Sequence, residues 1–392
     1  PQQLLIGWLN LVLTAPQIYL FIGLPLVMRE HGWSATQIGM MQMTGLPALG
    51  KFLLATPIDR WPLGRESYRN WILLLGGAYI GILLLLGTHN LADTPFAVLF
   101  VLAMAVSLFG TWVDTPVNAL AIRILPQTRR MQAGAIRSTA TSLAAIVGGG
   151  LMLMLHNHMG WASPFQILAL GVLSALLLIP LLNTSRGLDS STSAGHGGLL
   201  PRPGLRQCLS WFSLPQHRVW SILLLLYFPL IGTVWVFLKP LMLDQGFDPQ
   251  QIAQVVGVGG GVVAAVASLA GGYLSCKWGV RIVLPLFAAC NLLAMAALAT
   301  STLTGGSPGA MVMAALLVAL MMGASGGLVF GLMMYHVRPG LSALDYGIQS
   351  SLFVLGRTLL PLLAGVLLDH MGYPGLFGGL LSALALMLAY LL

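Results

Sequence analysis

The chain has 392 residues, 57% hydrophobic and only 7% charged, with 18 Lys and Arg against 10 Asp and Glu for a net charge of +8. Soluble domains carry about 25% charged residues, so this composition excludes a soluble globular protein. Apolar runs of about 20 residues point to membrane-spanning helices and away from the alternating ten-residue strands of a porin-type barrel.

Hydropathy predicts twelve spans, at 4–28, 36–58, 71–88, 96–121, 132–155, 162–183, 219–243, 250–275, 281–301, 309–335, 344–368 and 374–392. The first run is longer than the apolar core of a secretory signal. The segments after even-numbered spans, counted with the opening turns of the spans that follow, hold fourteen basic residues: Arg60, Arg65, Arg69, Arg123, Arg129, Arg130, Arg137, Arg186, Arg202, Arg206, Arg218, Lys277, Arg281 and Arg338. The segments after odd-numbered spans hold Arg29 alone, and Lys51, Lys239 and Arg357 fall inside spans. By the positive-inside rule both ends of the chain are expected on the cytoplasmic side. This placement, in short segments between spans, also argues against nucleic acid as a partner. Cys208, Cys276 and Cys290 form no metal or disulfide pattern.

The chain repeats itself. "GWSATQI" (32–38) returns as "GFDPQQI" (246–252), with Ser34 and Asp248 placed to open the next helix. "IRS" and "HMGW" (from Ile136 and His158) return as "IQS" and "HMGY" (from Ile348 and His370), at a constant offset of 212. "IDRWPLGR" after span 2 is echoed by "SCKWGVR" after span 8. The expected organisation is a six-helix bundle over 1–183, a Ser/Gly/Pro-rich linker over 184–218, and a second six-helix bundle over 219–392.

Two parallel six-span repeats with this loop resemble the major facilitator superfamily, whose signature is G-x-L-x-D-R-x-G-R. Gly272, Leu274, Lys277, Gly279 and Arg281 match its second copy, with Cys276 where an acid often sits. Asp59, Arg60, Gly64 and Arg65 match the first, with Ala55 in place of the leading glycine and a longer spacing. The resemblance implies an all-α polytopic fold of twelve helices. It also implies a latch: a carboxylate, Asp59, that pairs with basic groups and helix ends, with Arg60, Arg65, Lys277 and Arg281 as the basic partners; the alternative is that the loop's charges signal topology alone.

A narrower resemblance runs through "KFLLATPIDRWPLGRESYRNW". Lys51, Phe52, Leu53, Pro57, Asp59, Arg60, Gly64, Arg65 and Trp71 are similar to the muropeptide permease and acetyl-CoA transporter branch, and to siderophore permeases of the rhizobactin and pyochelin type. In span 4, Asp114 matches the first acid of the muropeptide element, while Asn118 and Val113 depart from it. The compact twelve-span form looks more like the siderophore permeases.

Ionisable side chains inside a bilayer cost about 2.5–3.5 kcal/mol on insertion scales, so each needs a reason. Lys51 reads as an anion contact, as the partner of an acid, or as a lysine that snorkels to the interface. Asp114, deep in span 4, reads as that partner or as a proton carrier, since an acid–base pair can exchange a proton as its surroundings change. Arg357 lies in mid-span, too deep to snorkel easily, and its planar fork suits a carboxylate or phenolate. The alternative is a fixed bond to backbone carbonyls. Lys239 sits near the end of span 7. With Tyr227, Phe228, Trp235, Phe237 and Trp112 it suggests an aromatic wall, although such residues more often pack or mark the interface. His156 and His158 make a poor metal pair. The Gly148–Gly150, Gly257/Gly261 and Gly327/Gly331 sets read as packing surfaces.

There is no phosphate-binding loop, no nucleophile–base set and no zinc pattern, so no enzyme, metal site or cofactor is expected. The expected function is alternating-access, proton-coupled import of an organic anion, a ferric siderophore, across the bacterial inner membrane by a monomer. Its partners are the lipid bilayer and that small anionic, iron-loaded molecule. Import of a sugar–peptide, drug export and a non-transporting receptor stay open as alternatives.

Overall fold

In hydrocarbon every backbone N–H and C=O must be satisfied internally, and a helix does this within one segment. The computed structural model describes residues 2–64, 66–91, 93–182, 204–338 and 340–392, and all regular structure among them is helical. The helices are α1 (Gln2–Arg29), α2 (35–60), α3 (Ser67–Thr88), α4 (Phe96–Ile124), α5 (Gln127–Met159), α6 (Ala162–Leu181), α7 (Pro215–Asp244), α8 (Gln250–Trp278), α9 (Val280–Leu303), α10 (Pro308–Tyr335), α11 (342–371) and α12 (373–391). Ten described stretches are long and apolar enough to cross a membrane. The count reaches twelve because Ser342–Leu391 is one run divided at Gly372 (φ 64°), and because α2 is broken into pieces too short to qualify alone. A short further helix, Leu205–Trp211, precedes α7.

The break in α2 was not predicted. Its pieces are Ala35–Met41, Gln42–Gly45, Leu46–Leu49 and Lys51–Arg60. Pro47 stands in the first turn of one piece, and Gly50 leaves helical geometry at φ −89°, ψ 18°. Proline removes a donor and glycine weakens the helix. The last piece therefore starts afresh at Lys51. A second difference is at α5, which begins at Gln127 and not at 132. Arg129 and Arg130 thus ride on a helix instead of a loop.

The repeat is visible in the backbone. Gly32 and Gly246 take φ 77° and 84°, and Gly160 and Gly372 take 82° and 64°. At the first pair each helix closes in the same way. Trp33 N–H donates to Met28 O at 3.1 Å, and Phe247 N–H donates to Met242 O at 3.0 Å. Such a closure needs a left-handed residue, the role glycine fills at least cost. Ser34 then caps α2 in a reciprocal box with Gln37, and Gln251 Oε1 accepts from Asp248 N–H at 3.4 Å.

The chain forms two compact units. One comprises Pro1–Ala133, Leu143–Trp211 and Met334–Ser351. Within it the start of α11 lies against α2: a Cβ at Gly347 would meet Ala55 Cβ at 2.8 Å and Phe52 Cα at 3.1 Å. The other comprises Gly134–Ser142, Phe212–Met333 and Leu352–Leu392. Within it the start of α5 touches α10: a Cβ at Gly134 would lie 2.1 Å from Gly331 N. Ser138 and Ser268 share a 2.9 Å hydrogen bond, and Thr139 Oγ1 donates to Ala265 O at 3.0 Å. Each unit thus joins helices from both halves of the sequence at ends rich in arginine.

Candidate functional site

The fresh helix start at Lys51 sets the first cluster. Lys51 Nζ forms a salt bridge with Asp114 Oδ2 of α4, and both residues are more than nine-tenths buried. Asn118, one turn along α4, donates its amide to Asp114 Oδ1 at 2.9 Å and to Asp114 O at 2.7 Å. From α11, the fully buried Tyr346 ring lies 5.4 Å from the Lys51 ammonium. Sequence reasoning left Lys51 with several roles; the structure brings it together with Asp114, so its charge is matched.

At the end of α2, Asp59 ties three helices. Tyr68 of α3 donates its hydroxyl to Oδ1 at 2.8 Å, and Leu344 N–H, in the first turn of α11, donates to Oδ2 at 2.9 Å. A carboxylate over a helix N-terminus satisfies orphan donors and complements the helix dipole. Arg60 is exposed and lies 5.9 Å from the Trp61 ring, and Arg65 lies outside the described residues. Lys277 and Arg281 are exposed and make no ion pair among the described residues. The second loop copy has Cys276 where the first has an acid, and that substitution leaves its cations without a local carboxylate.

One element of this region was missed. Asp345, fully buried one turn into α11, accepts from Arg338 Nη2 at 2.6 Å, Nε at 2.9 Å and backbone N–H at 2.7 Å. Arg338 also donates to Ser210 Oγ at 2.8 Å and Gln207 O at 3.1 Å, with its guanidinium 5.6 Å from the buried Trp211 ring. The helix Leu205–Trp211 is thereby fastened to the segment before α11. The available signal was an acid in the first turn of a span, a favourable place for negative charge.

Arg357 stands in the middle of α11. Leu355, Leu359, Leu362, Leu363 and Val366 are exposed and fall on one face at 100° per residue. Arg357 projects from the opposite face, which also carries the buried Phe353 and Ala364, yet it is itself exposed. It therefore does not sit among the lipid-facing leucines. It makes no ion pair or hydrogen bond among the described residues; its guanidinium lies 5.8 Å from the Phe353 ring. Phe353 in turn packs on Phe228 (5.1 Å) and Phe330 (5.3 Å), and Arg137 of α5 lies 5.1 Å from the Phe330 ring. Gly356 lets this part of α11 approach α7, since a Cβ there would meet Leu225 O at 2.2 Å. Phe330, Phe353 and Arg137 were not singled out from the sequence. Phe330 and Phe353 read as ordinary core positions, and Arg137 was counted with the loops.

The other aromatic candidates have packing roles. Tyr227 is buried and donates to Leu284 O at 3.0 Å. The Trp235 ring fills the space beside Gly260. Trp112 lies among Trp71 and Phe109, with its buried Nε1 unpartnered among the described residues. Lys239 is exposed and makes no ion pair among the described residues. His156 has the rings of His31 and Trp161 as neighbours, and no group of three metal-ligating side chains occurs among the described residues.

Twelve helices in two six-helix repeats, with ionisable side chains buried in the bundle, define a multi-pass membrane protein with a transporter fold. The chain belongs to the Major Facilitator Superfamily, whose family model matches residues 7–348. Among solved structures it is similar to FucP, a transporter of that superfamily in the outward conformation, with 17% identity and a TM-score of 0.75 over 100% of this chain and 97% of that one. It is also similar to the human organic anion transporter MFSD10, with 15% identity and a TM-score of 0.74 over 100% and 99%. A third is a bacterial homologue of the iron transporter ferroportin, with 16% identity and a TM-score of 0.71 over 100% and 98%. At these identities the likeness establishes the fold.

Proposed function

We propose that this protein is a secondary active transporter that imports an organic anion, a ferric siderophore, across the bacterial inner membrane by proton-coupled alternating access. The observation that carries the reading is Arg357: a mid-span cation on the non-lipid face of α11, without an acid among the described residues. Such a charge is costly in a bilayer, and an anionic cargo would supply what the protein does not. Lys51 adds no net positive charge because Asp114 matches it. Asp114 is the proposed proton carrier, since protonating it would release Lys51. The assignment to a siderophore rests on the resemblance of the 51–71 segment. In this reading 1–183 and 219–392 are the moving bundles, joined by the cytoplasmic linker 184–218, in a monomer whose ends face the cytoplasm. Asp59 on α11 is the latch between states.

The test is uptake of radiolabelled iron–siderophore complexes into cells lacking the protein and complemented with wild type or Arg357→Gln, set against uptake of an anhydromuropeptide. Wild type restores siderophore uptake, and Arg357→Gln abolishes it at an equal amount of folded protein. Unaltered uptake by the variant removes Arg357 from the site. Restoration of anhydromuropeptide uptake alone replaces the siderophore with a sugar–peptide.

A further inference from the structure

Arg338 and Asp345 play no part in the reading of Arg357, yet they shape the place where Asp59 lands. Asp59 Oδ2 accepts from Leu344 N–H at 2.9 Å, and Asp345 is the next residue along α11. Asp345 is fully buried, and its carboxylate accepts from Arg338 Nη2 at 2.6 Å, Nε at 2.9 Å and backbone N–H at 2.7 Å. Arg338 O accepts in turn from Leu341 N–H at 3.2 Å, with Gly340 between them at φ 79°. The turn into α11 is thereby closed on itself. The same guanidinium reaches out of the turn to Ser210 Oγ at 2.8 Å and Gln207 O at 3.1 Å, 5.6 Å from the buried Trp211 ring. All of these residues belong to one compact unit, together with α2.

Two carboxylates therefore converge on the first turn of α11. Asp59 and Asp345 lie close enough to repel each other, so a bare charge on Asp345 would work against the seating of Asp59. Arg338 matches that charge with a bidentate fork. The helix Leu205–Trp211 in turn steadies the fork. At seven residues it is too short to be stable alone. It buries Cys208 and Trp211 and exposes Arg206 and Leu209, as a docked element held on one side does. Its bonds lie on the part-exposed Arg338 side chain, where water can replace them, whereas the Asp345 carboxylate is wholly enclosed. The helix can thus let go without stripping the buried acid of its cation.

We propose that Arg338 is a positioning residue for the latch: the helix Leu205–Trp211 holds its fork, the fork neutralises Asp345 and sets the first turn of α11, and that turn presents Leu344 N–H to Asp59. This rests on the reading of Asp59 as the latch. It adds a second control over the same contact, exerted by the short helix that precedes α7.

Thiol exposure tests this without reference to the cargo. Ser351 is buried, and its hydroxyl accepts from Phe52 N–H of α2 at 3.3 Å, so Ser351→Cys reports how often the start of α11 leaves α2. The full chain carrying Ser351→Cys is treated with N-ethylmaleimide in detergent micelles, and labelling at position 351 is read by peptide mass spectrometry. Native Cys208, buried in the short helix, reports on that helix in the same digest. Asp59→Ala removes a charged hydrogen bond and raises labelling at 351 about tenfold or more. Arg338→Gln strands a buried acid and is expected to unfold part of the chain. Arg338→Lys keeps the charge but cannot span Asp345, Ser210 and Gln207 together. It raises labelling at Cys208 and, about threefold or more, at 351. Ser210→Ala, which touches neither acid, moves both labels in the same direction. Added to Asp59→Ala, Arg338→Lys brings no further rise at 351, because both act through one contact. If Arg338→Lys leaves 351 unchanged, or if its effect multiplies that of Asp59→Ala, Arg338 does not position the latch. If Ser210→Ala frees Cys208 and leaves 351 as it was, the short helix is a brace and its control over the latch is refuted. If Asp59→Ala alone changes nothing at 351, the latch reading fails and this one falls with it.

Discussion

Asp114→Asn is the sharpest perturbation of the buried charge. In the native arrangement the Asp114 carboxylate offsets a Lys51 ammonium that is only 6% exposed, and Asn118 holds the other oxygen at 2.9 Å. The substitution keeps the shape and removes the charge, so Lys51 remains buried beside the Tyr346 ring. A cation 5.4 Å from that ring recovers at most ~2 kcal/mol. Breaking a buried pair by removing one partner costs about 3–5 kcal/mol. The expected net loss is therefore about 1–3 kcal/mol, or roughly one to two decades in a folding equilibrium. Lys51→Met alone should cost a similar amount, because it strands the carboxylate. The double replacement Lys51→Met with Asp114→Leu leaves no charge and should cost less than either single change. Thermal and denaturant unfolding in micelles, read as a double-mutant cycle, gives the coupling directly. Additive losses, or single variants within ~0.5 kcal/mol of wild type, would refute charge compensation. Uptake with and without an imposed pH gradient separates the second role. If the charge-free double variant folds and still accumulates substrate against a gradient when driven by protons, Asp114 is not the carrier.

Asp59→Asn keeps an acceptor near Leu344 N–H but loses the charge over the α11 N-terminus, a loss of about 0.3–1 kcal/mol. It should slow turnover more than it weakens ligand binding, and an equal loss of binding would argue against a latch. Gly134→Leu forces α5 and α10 apart, because even its Cβ would lie 2.1 Å from Gly331 N. Disulfide formation between Ser138→Cys and Ser268→Cys, whose native hydroxyls are 2.9 Å apart, should then fall sharply; an undiminished yield would show that the contact is not tight. Arg338→Gln leaves the fully buried Asp345 without its cation and loosens Leu205–Trp211. Faster proteolysis in that helix and greater accessibility of Trp211 to quenchers should follow, and unaltered values would mean that other contacts hold it.

The twelve helices and their repeat were legible because hydrophobic length and glycine placement are local properties. Gly32, Gly246, Gly160 and Gly372 announce the helix ends that the backbone needs, and all four take positive φ. The break before Lys51 was legible in part, as Pro47 and Gly50 stand in the sequence, but bilayer helices often tolerate both residues. Only the fold shows that here they reset the helix and bring Lys51 to Asp114, 63 positions away. Arg338 and Asp345 are seven residues apart and could have been paired by inspection. Their hold on Ser210 and Gln207, about 130 positions away, could not. The cluster of Phe228, Phe330 and Phe353 was hidden for another reason. Phenylalanine is an ordinary core residue, and nothing in one sequence tells a buried ring from one with an arginine at its edge.

The repeat also isolates what each half does alone. At the offset of 212, Arg357 corresponds to Ala145 and Arg137 to Gln349. Gln349 is fully buried and donates to His336 O at 2.9 Å and Asp345 O at 3.2 Å, so its position has been given over to structure at the start of α11. The equivalent Arg137, at the start of α5, carries a charge to the edge of the Phe330 ring instead. Equivalent positions of the two sequence repeats, which share backbone closures, therefore differ in the charge they carry. Lys51 and Asp114 form a matched pair beside the start of α11, whereas Arg137 and Arg357 flank the phenylalanines with no carboxylate to match Arg357 among the described residues. A matched pair can take up and release a proton with little change in net charge at other times, while an unmatched cation favours an anion whenever one is present. Under the proposed mechanism the first arrangement suits the coupling ion and the second suits the cargo. Substitutions in the two clusters should therefore separate proton dependence from ligand affinity, because the charges that serve each lie in different compact units.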